Sequence, residues 1–148
     1  MKAISLTQPW ATLVVTGRKA VETRGWSTSH VGQIAIHAAK QYPRWAKECA
    51  SEWRLRGLVH GTLPVGALVG IVTLLEVTTT NAALFHERIS EQEREFGDYS
   101  SGRYAWFLGD AVAFEQPIPC AGALRVWDVP VALLDAARSA RTHAENTR

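Results

Sequence analysis

The chain has 148 residues, 47% of them hydrophobic and 20% charged. This is the size and balance of one globular domain with a real core, and it excludes a disordered chain. No apolar run approaches the ~20 residues that cross a bilayer, and the N-terminus lacks the charged-then-apolar layout of a signal peptide. A cytoplasmic protein with no membrane partner is therefore expected.

The formal net charge of +2 conceals an asymmetry. Residues 1–60 carry nine Lys/Arg against three glutamates, whereas residues 61–148 carry seven against eleven Asp/Glu. A basic half in a near-neutral domain suggests one positive face and an anionic partner, although charges that only solvate helix surfaces give the same count. Cys49 and Cys120 stand alone, without C-x-x-C or histidine spacing. No metal site, disulfide or cofactor is indicated.

In chain order, residues 2–7 alternate as a short strand, and Thr7 is placed to cap a helix beginning near Pro9. Trp10, Leu13 and Val14 share one face of that helix, and Gly17 sits where a glycine stop belongs. The chain then reads extended, with Glu22 and Arg24 on one strand face and Val21 and Thr23 on the other. Residues 31–39 supply another strand. Pro43 to Arg56 reads as a helix whose stripe is Trp45, Cys49 and Trp53, ended by Gly57. Residues 66–78 form an almost continuous apolar run, a strand buried on both faces. From Thr79 to Gly102 the chain is polar, with a short helix possible around 82–95, the composition of a lid or binding loop. Strands follow over 103–116 and 123–129, then a closing helix from Val131, with the tail fraying from about His143. Helices do not alternate regularly with strands. The expected fold is α+β to mainly β: one domain over 1–148, a small barrel of about five to six mostly antiparallel strands surrounded by helices.

The densest chemistry lies in Lys19, Glu22 and Arg24, flanked by Trp10 and Trp26. An ordinary Arg24–Glu22 ion pair at a strand edge would explain two of the three, and such exposed pairs contribute only ~0–1 kcal/mol. As a ligand site, a glutamate accepts from the amino groups of base edges. An arginine clamps that glutamate or holds a phosphate, and a lysine is a phosphate contact or a general base. Trp10, Trp26, Tyr104 and Trp106 could give a base a stacking face, or could simply be core.

Gly17-Arg18-Lys19-Ala20-Val21-Glu22-Thr23-Arg24 resembles G-x-K-x-x-E-x-R, the signature of the ASCH domain (activating signal cointegrator homology), a branch of the PUA-like fold. Gln8-Pro9-Trp10-Ala11, Ile36-His37-Ala38-Ala39-Lys40 and the run from Gly97 to Trp106 are similar to that family too. The resemblance implies a β-barrel with a cleft at the signature motif and recognition of RNA or of a nucleotide or modified nucleoside. It carries Lys19, Glu22 and Arg24 into the cleft, followed by Asp98, Arg103, Tyr104 and Trp106; His37 and Lys40 come from a family-like segment. Asp98, in a Gly-Asp-Tyr turn, also reads simply as a turn former.

Some ASCH-like proteins are amidohydrolases of an acylated cytidine, and others are suggested to cleave RNA. Either activity would use Lys19 with a glutamate, as a metal-independent hydrolase. Glu22 departs from the amidohydrolase branch, which has threonine there; Glu76, Glu87, Glu91, Glu93 and Glu95 are the other candidate partners. Membership in a transcription coactivator, as a protein-interaction domain, is a third implication.

Overall fold

The computed structural model describes residues 1–147. Its elements are β1 (Lys2–Leu6), α1 (Trp10–Val15), β2 (Val21–Arg24), β3 (Gly32–Ala38), α2 (Arg44–Leu55), β4 (Ala67–Thr79), a 3-10 turn (Phe85–Arg88), α3 (Glu91–Phe96), β5 (Tyr104–Pro119), β6 (Val126–Asp128) and α4 (Val131–Asn146). The strands form one sheet in the order β2-β5-β4-β3-β1-β6. Only β1 and β3 pair parallel; the other neighbours are antiparallel. The sheet curls into a half-barrel with β2 and β6 as its two edges, and four α-helices complete it.

The curl has a local cause. Along the β4–β5 ladder the register shifts between Leu68 and Gly70, between Ile71 and Thr73, and between Leu74 and Glu76. Each extra residue bends its strand and increases the twist. The same shifts redirect side chains. Ile4 and Leu6 of β1 and Ile34 and Ile36 of β3 follow strict alternation into the core layer beneath α1, whereas β4 sends Val69, Val72 and Leu74 there. Ala3, Ala35, Leu68 and Ile71 face the opposite layer, where α4 covers them with Ala137.

One expectation is corrected. Thr7 does not cap α1: Pro9 is the cap residue, and Gln8, fully buried, supplies the side-chain contacts instead. Its amide oxygen accepts from the Thr12 N–H (3.1 Å) and its amide nitrogen donates to the Pro64 carbonyl (2.8 Å). At the other end of the chain α4 runs on to Asn146. Ala137 and Ala144, two turns apart on one stripe, are both buried, and His143 Nε2 lies 2.9 Å from Glu115 Oε2 on β5. Arg148 lies outside the described residues. Among the described residues no helix is long and apolar enough to cross a membrane.

Helix α1, which carries Trp10, rests on β4 at Gly70. A Cβ there would stand 2.4 Å from the Val112 carbonyl oxygen and 2.7 Å from Val15 Cγ1, closer than backbone and core atoms allow. Gly70→Val should therefore lower the unfolding free energy by about 1–3 kcal/mol or more, the usual cost of overpacking. Denaturant titration measures it, and unchanged stability would show that α1 does not sit against the strand.

Candidate functional site

The signature segment is fixed by a buried charge cluster. Lys19 leaves α1 after the Gly17 stop, whose φ of +75° turns the chain toward β2. Its ammonium donates to Glu93 Oε1 (2.9 Å), to the Tyr99 hydroxyl (2.9 Å) and to the Val21 carbonyl. An ammonium has three N–H donors, and all three are used here. Side-chain exposure is 1% for Lys19 and 7% for Glu93. Glu93 Oε2 accepts from the Ala20 N–H (2.9 Å), and Oε1 accepts from the Val21 N–H (3.2 Å). Burial and the Glu93 carboxylate push the Tyr99 phenol well above its usual range, so it stays a neutral donor and acceptor. This cluster fastens β2 to α3 and lies at the floor of the site.

Above it opens a cleft of about 440 Å³, walled by the end of β1, α1, β2, α2 and the turn after α3. Thr23 is buried while Glu22 and Arg24 are half-exposed, as strand alternation demands. The expected Arg24–Glu22 pair does not form. The Glu22 carboxylate accepts from the Thr23 N–H (3.1 Å), and Arg24 Nη2 reaches across to donate to the Ser5 carbonyl (2.8 Å). Arg103 enters from the start of β5, donates Nη2 to the Thr23 carbonyl (3.2 Å) and stands 3.7 Å from Asp98. Asp98 is a turn former as well as a lining residue: it accepts from the Ser100 N–H (3.0 Å), and Ser100 holds its carboxyl below the usual range. The Nε atoms of both Arg24 and Arg103 are buried without a hydrogen-bond partner.

The opposite wall is aromatic. Trp10 has its ring centre 5.5 Å from those of both Trp45 and Trp53, and its indole N–H donates to the Phe96 carbonyl. Trp53 packs on Phe96 and is nearly buried, whereas Trp45 is 58% exposed at the rim. The helical stripe of Trp45 and Trp53 was legible in the sequence as a core face. Trp45 instead stays exposed on the cleft wall.

The remaining sequence-selected residues do not all converge here. Trp106 and Tyr104 stand opposite Glu22 and Arg24 in the ladder. Trp106 is 1% exposed in the core and Tyr104 packs against that core, so neither lines the cleft. Trp26 crosses Trp106 edge-on at 5.1 Å and faces a neighbouring hollow. His37 and Lys40 line a third one. The cleft is also not simply basic. Lys19, Arg24 and Arg103 are matched by Glu22, Glu95 and Asp98, and Glu95 is itself paired with Arg56 at 2.7 Å. Much of the basic half is spent this way, with Lys2 on Asp128 and Arg44 on Glu48 as well.

Removing one partner of the floor pair leaves a buried charge uncompensated. Lys19→Met should cost about 3–5 kcal/mol in unfolding free energy, and Lys19→Met with Glu93→Gln should recover a large part of it. A double-mutant cycle by denaturant unfolding measures both. Additive losses would contradict the pairing.

Comparison with known proteins agrees with this architecture. The ASCH domain family matches residues 4–118. Activating signal cointegrator 1 of Homo sapiens is 30% identical over 130 residues, covering 84% of this chain and 21% of that protein; the Mus musculus protein is 28% identical over the same length. The chain thus spans about a fifth of the length of the curated relatives it matches. Among solved structures, ASCH from Zymomonas mobilis superposes with a TM-score of 0.58 at 18% identity, covering 93% of each chain. A point mutant of that protein gives 0.57 at 19%, covering 93% of this chain and 96% of the other. The chain belongs to the ASCH domain family.

Proposed function

We propose that this ASCH domain binds RNA by taking one base, ordinary or modified, into the cleft between Trp45 and the β2 edge. The observation that carries this reading is the lining of the cleft, which sets Glu22, Arg24 and Arg103 on one side and Trp10 and Trp45 on the other. The Arg24 and Arg103 side chains that line the cleft are hydrogen-bond donors, which fits a ligand that supplies carbonyl or ring-nitrogen acceptors. Glu22 adds an acceptor for an amino group, and Trp10 and Trp45 add a stacking face. Balanced donors and acceptors suit a base edge better than a phosphate. The family's association with RNA supports the same assignment.

A metal-independent hydrolase has less support. Glu93 is the glutamate that meets Lys19, but the ammonium has no donor left for a substrate, and its carboxylate partner is held by two backbone N–H groups. Lys19 then acts as a positioning residue for the β2 edge. The third implication, a coactivator-type interaction domain, has no cleft feature that favours it.

Fluorescence anisotropy with labelled single-stranded RNA tests the proposal. Trp45→Ala and Arg103→Ala should each weaken binding about tenfold, within the ~1–3 kcal/mol typical of a lost stacking contact or base contact. Affinity should fall as salt rises. Absence of RNA binding at low salt would sink the reading. In parallel, RNA and N-acylated cytidine should remain intact on incubation with the protein; turnover of either by the wild-type protein would establish the hydrolase in its place.

A further inference from the structure

The cleft does not stand alone. It shares Arg24 with a neighbouring hollow of about 370 Å³, and that hollow shares Ser5, Ala123 and Leu124 with a third, of about 840 Å³. The three make one path from Trp45, past Trp26 and Arg125, to Lys40. The charge changes along it. Carboxylates match the cations in the cleft, whereas no Asp or Glu lines the second and third hollows, where Arg24, Arg125 and Lys40 supply the positive charge.

The loop that forms the outer bank of this path is pinned from below. His37, 2% exposed, donates Nε2–H to the Cys120 carbonyl (2.8 Å) and accepts at Nδ1 from the Ser5 hydroxyl (3.0 Å). Gly122 lies so close over this pair that a Cβ would stand 2.6 Å from His37 Cε1 and 2.7 Å from Ser5 Oγ. Beyond that anchor the loop projects Leu124, 91% exposed, and then Arg125 in a left-handed conformation (φ +59°) that L-residues seldom adopt. The Arg125 guanidinium lies 5.1 Å from the Trp26 ring centre. His37 is accordingly a residue that positions the loop.

We propose that single-stranded RNA runs out of the cleft along this path, with one base in the cleft and the following phosphates on Arg125 and Lys40. The inference rests on the reading of the cleft as a base pocket. A cationic groove interrupted by aromatic and guanidinium faces is the general form of a single-strand track. A duplex does not fit, because a base can enter the cleft only when splayed from its partner. The preferred ligand is therefore an oligonucleotide and not a mononucleotide.

The test compares a nucleoside monophosphate with single-stranded oligoribonucleotides of about two to eight nucleotides, a range that spans the low end of known single-strand sites. For the wild-type protein, affinity should rise with length until the path is filled and then level off. Arg125→Ala should weaken the longer oligomers several-fold and flatten the log–log salt dependence by about 0.7, the loss of one single-strand phosphate contact. It should leave the monophosphate affinity unchanged. If the monophosphate binds and oligomers bind no tighter, the path is wrong and the cleft reading stands. A length-dependent gain that Arg125→Ala leaves intact places the strand elsewhere and overturns the path alone. If neither ligand binds, both readings fall.

Discussion

The buried contact between Lys19 and Glu93 is the constraint on which the site depends. The two residues lie far apart in sequence, and their meeting sews the first strand edge to a helix of six residues, too short to be stable by itself. A buried pair of this kind is not a large net source of stability, because desolvation offsets much of the Coulomb attraction. It fixes position instead. With Lys19 tied to Glu93, Tyr99 and the Val21 carbonyl, the start of β2 has one register, and alternation then points both Glu22 and Arg24 into the cleft. The end of α3 is held at the same time, and it carries the Phe96 carbonyl to the indole N–H of Trp10 on the aromatic wall.

The charges divide the surface into two kinds of ground. Inside the cleft, cations and carboxylates are matched, and the Arg24 and Arg103 guanidinium groups and the Glu22 carboxylate are directional hydrogen-bonding groups. In the reading we propose, such a wall meets the edge of a base. Outside it, from Arg24 to Lys40, the lining has cations and no carboxylate, and this is the surface to which we assign the backbone. The same division explains why a count of Lys and Arg over residues 1–60 overstates the positive face. Lys2, Lys19, Arg44 and Arg56 each meet a carboxylate, three of them on the surface, where such pairs form locally.

What was legible in the sequence follows from short periods. The two faces of β2 could be read from alternation, because one edge strand has a buried side and an open side. The curled sheet could be anticipated from strands not separated by regular helices. The partner of Lys19 could not, because Glu93 sits among several glutamates in a polar segment without a clear period. Only its capped turn, with Ser90 accepting from the Glu93 N–H, distinguishes that stretch locally. Trp45 and Trp106 show the complementary limit. Each falls on a face that periodicity marks as apolar, but whether protein meets that face is a tertiary fact, and it leaves Trp45 open while burying Trp106. His37 was visible only as part of a family-like segment; its contact with the Cys120 carbonyl spans most of the domain.

The six tryptophans report on this arrangement directly. In an NMR titration of ¹⁵N-labelled protein with single-stranded RNA, the indole N–H signals of Trp10 and Trp45 should shift in saturable fashion while that of Trp106 stays in place. Bound RNA that leaves Trp10 and Trp45 unmoved would contradict the assignment of the cleft as the base-binding site.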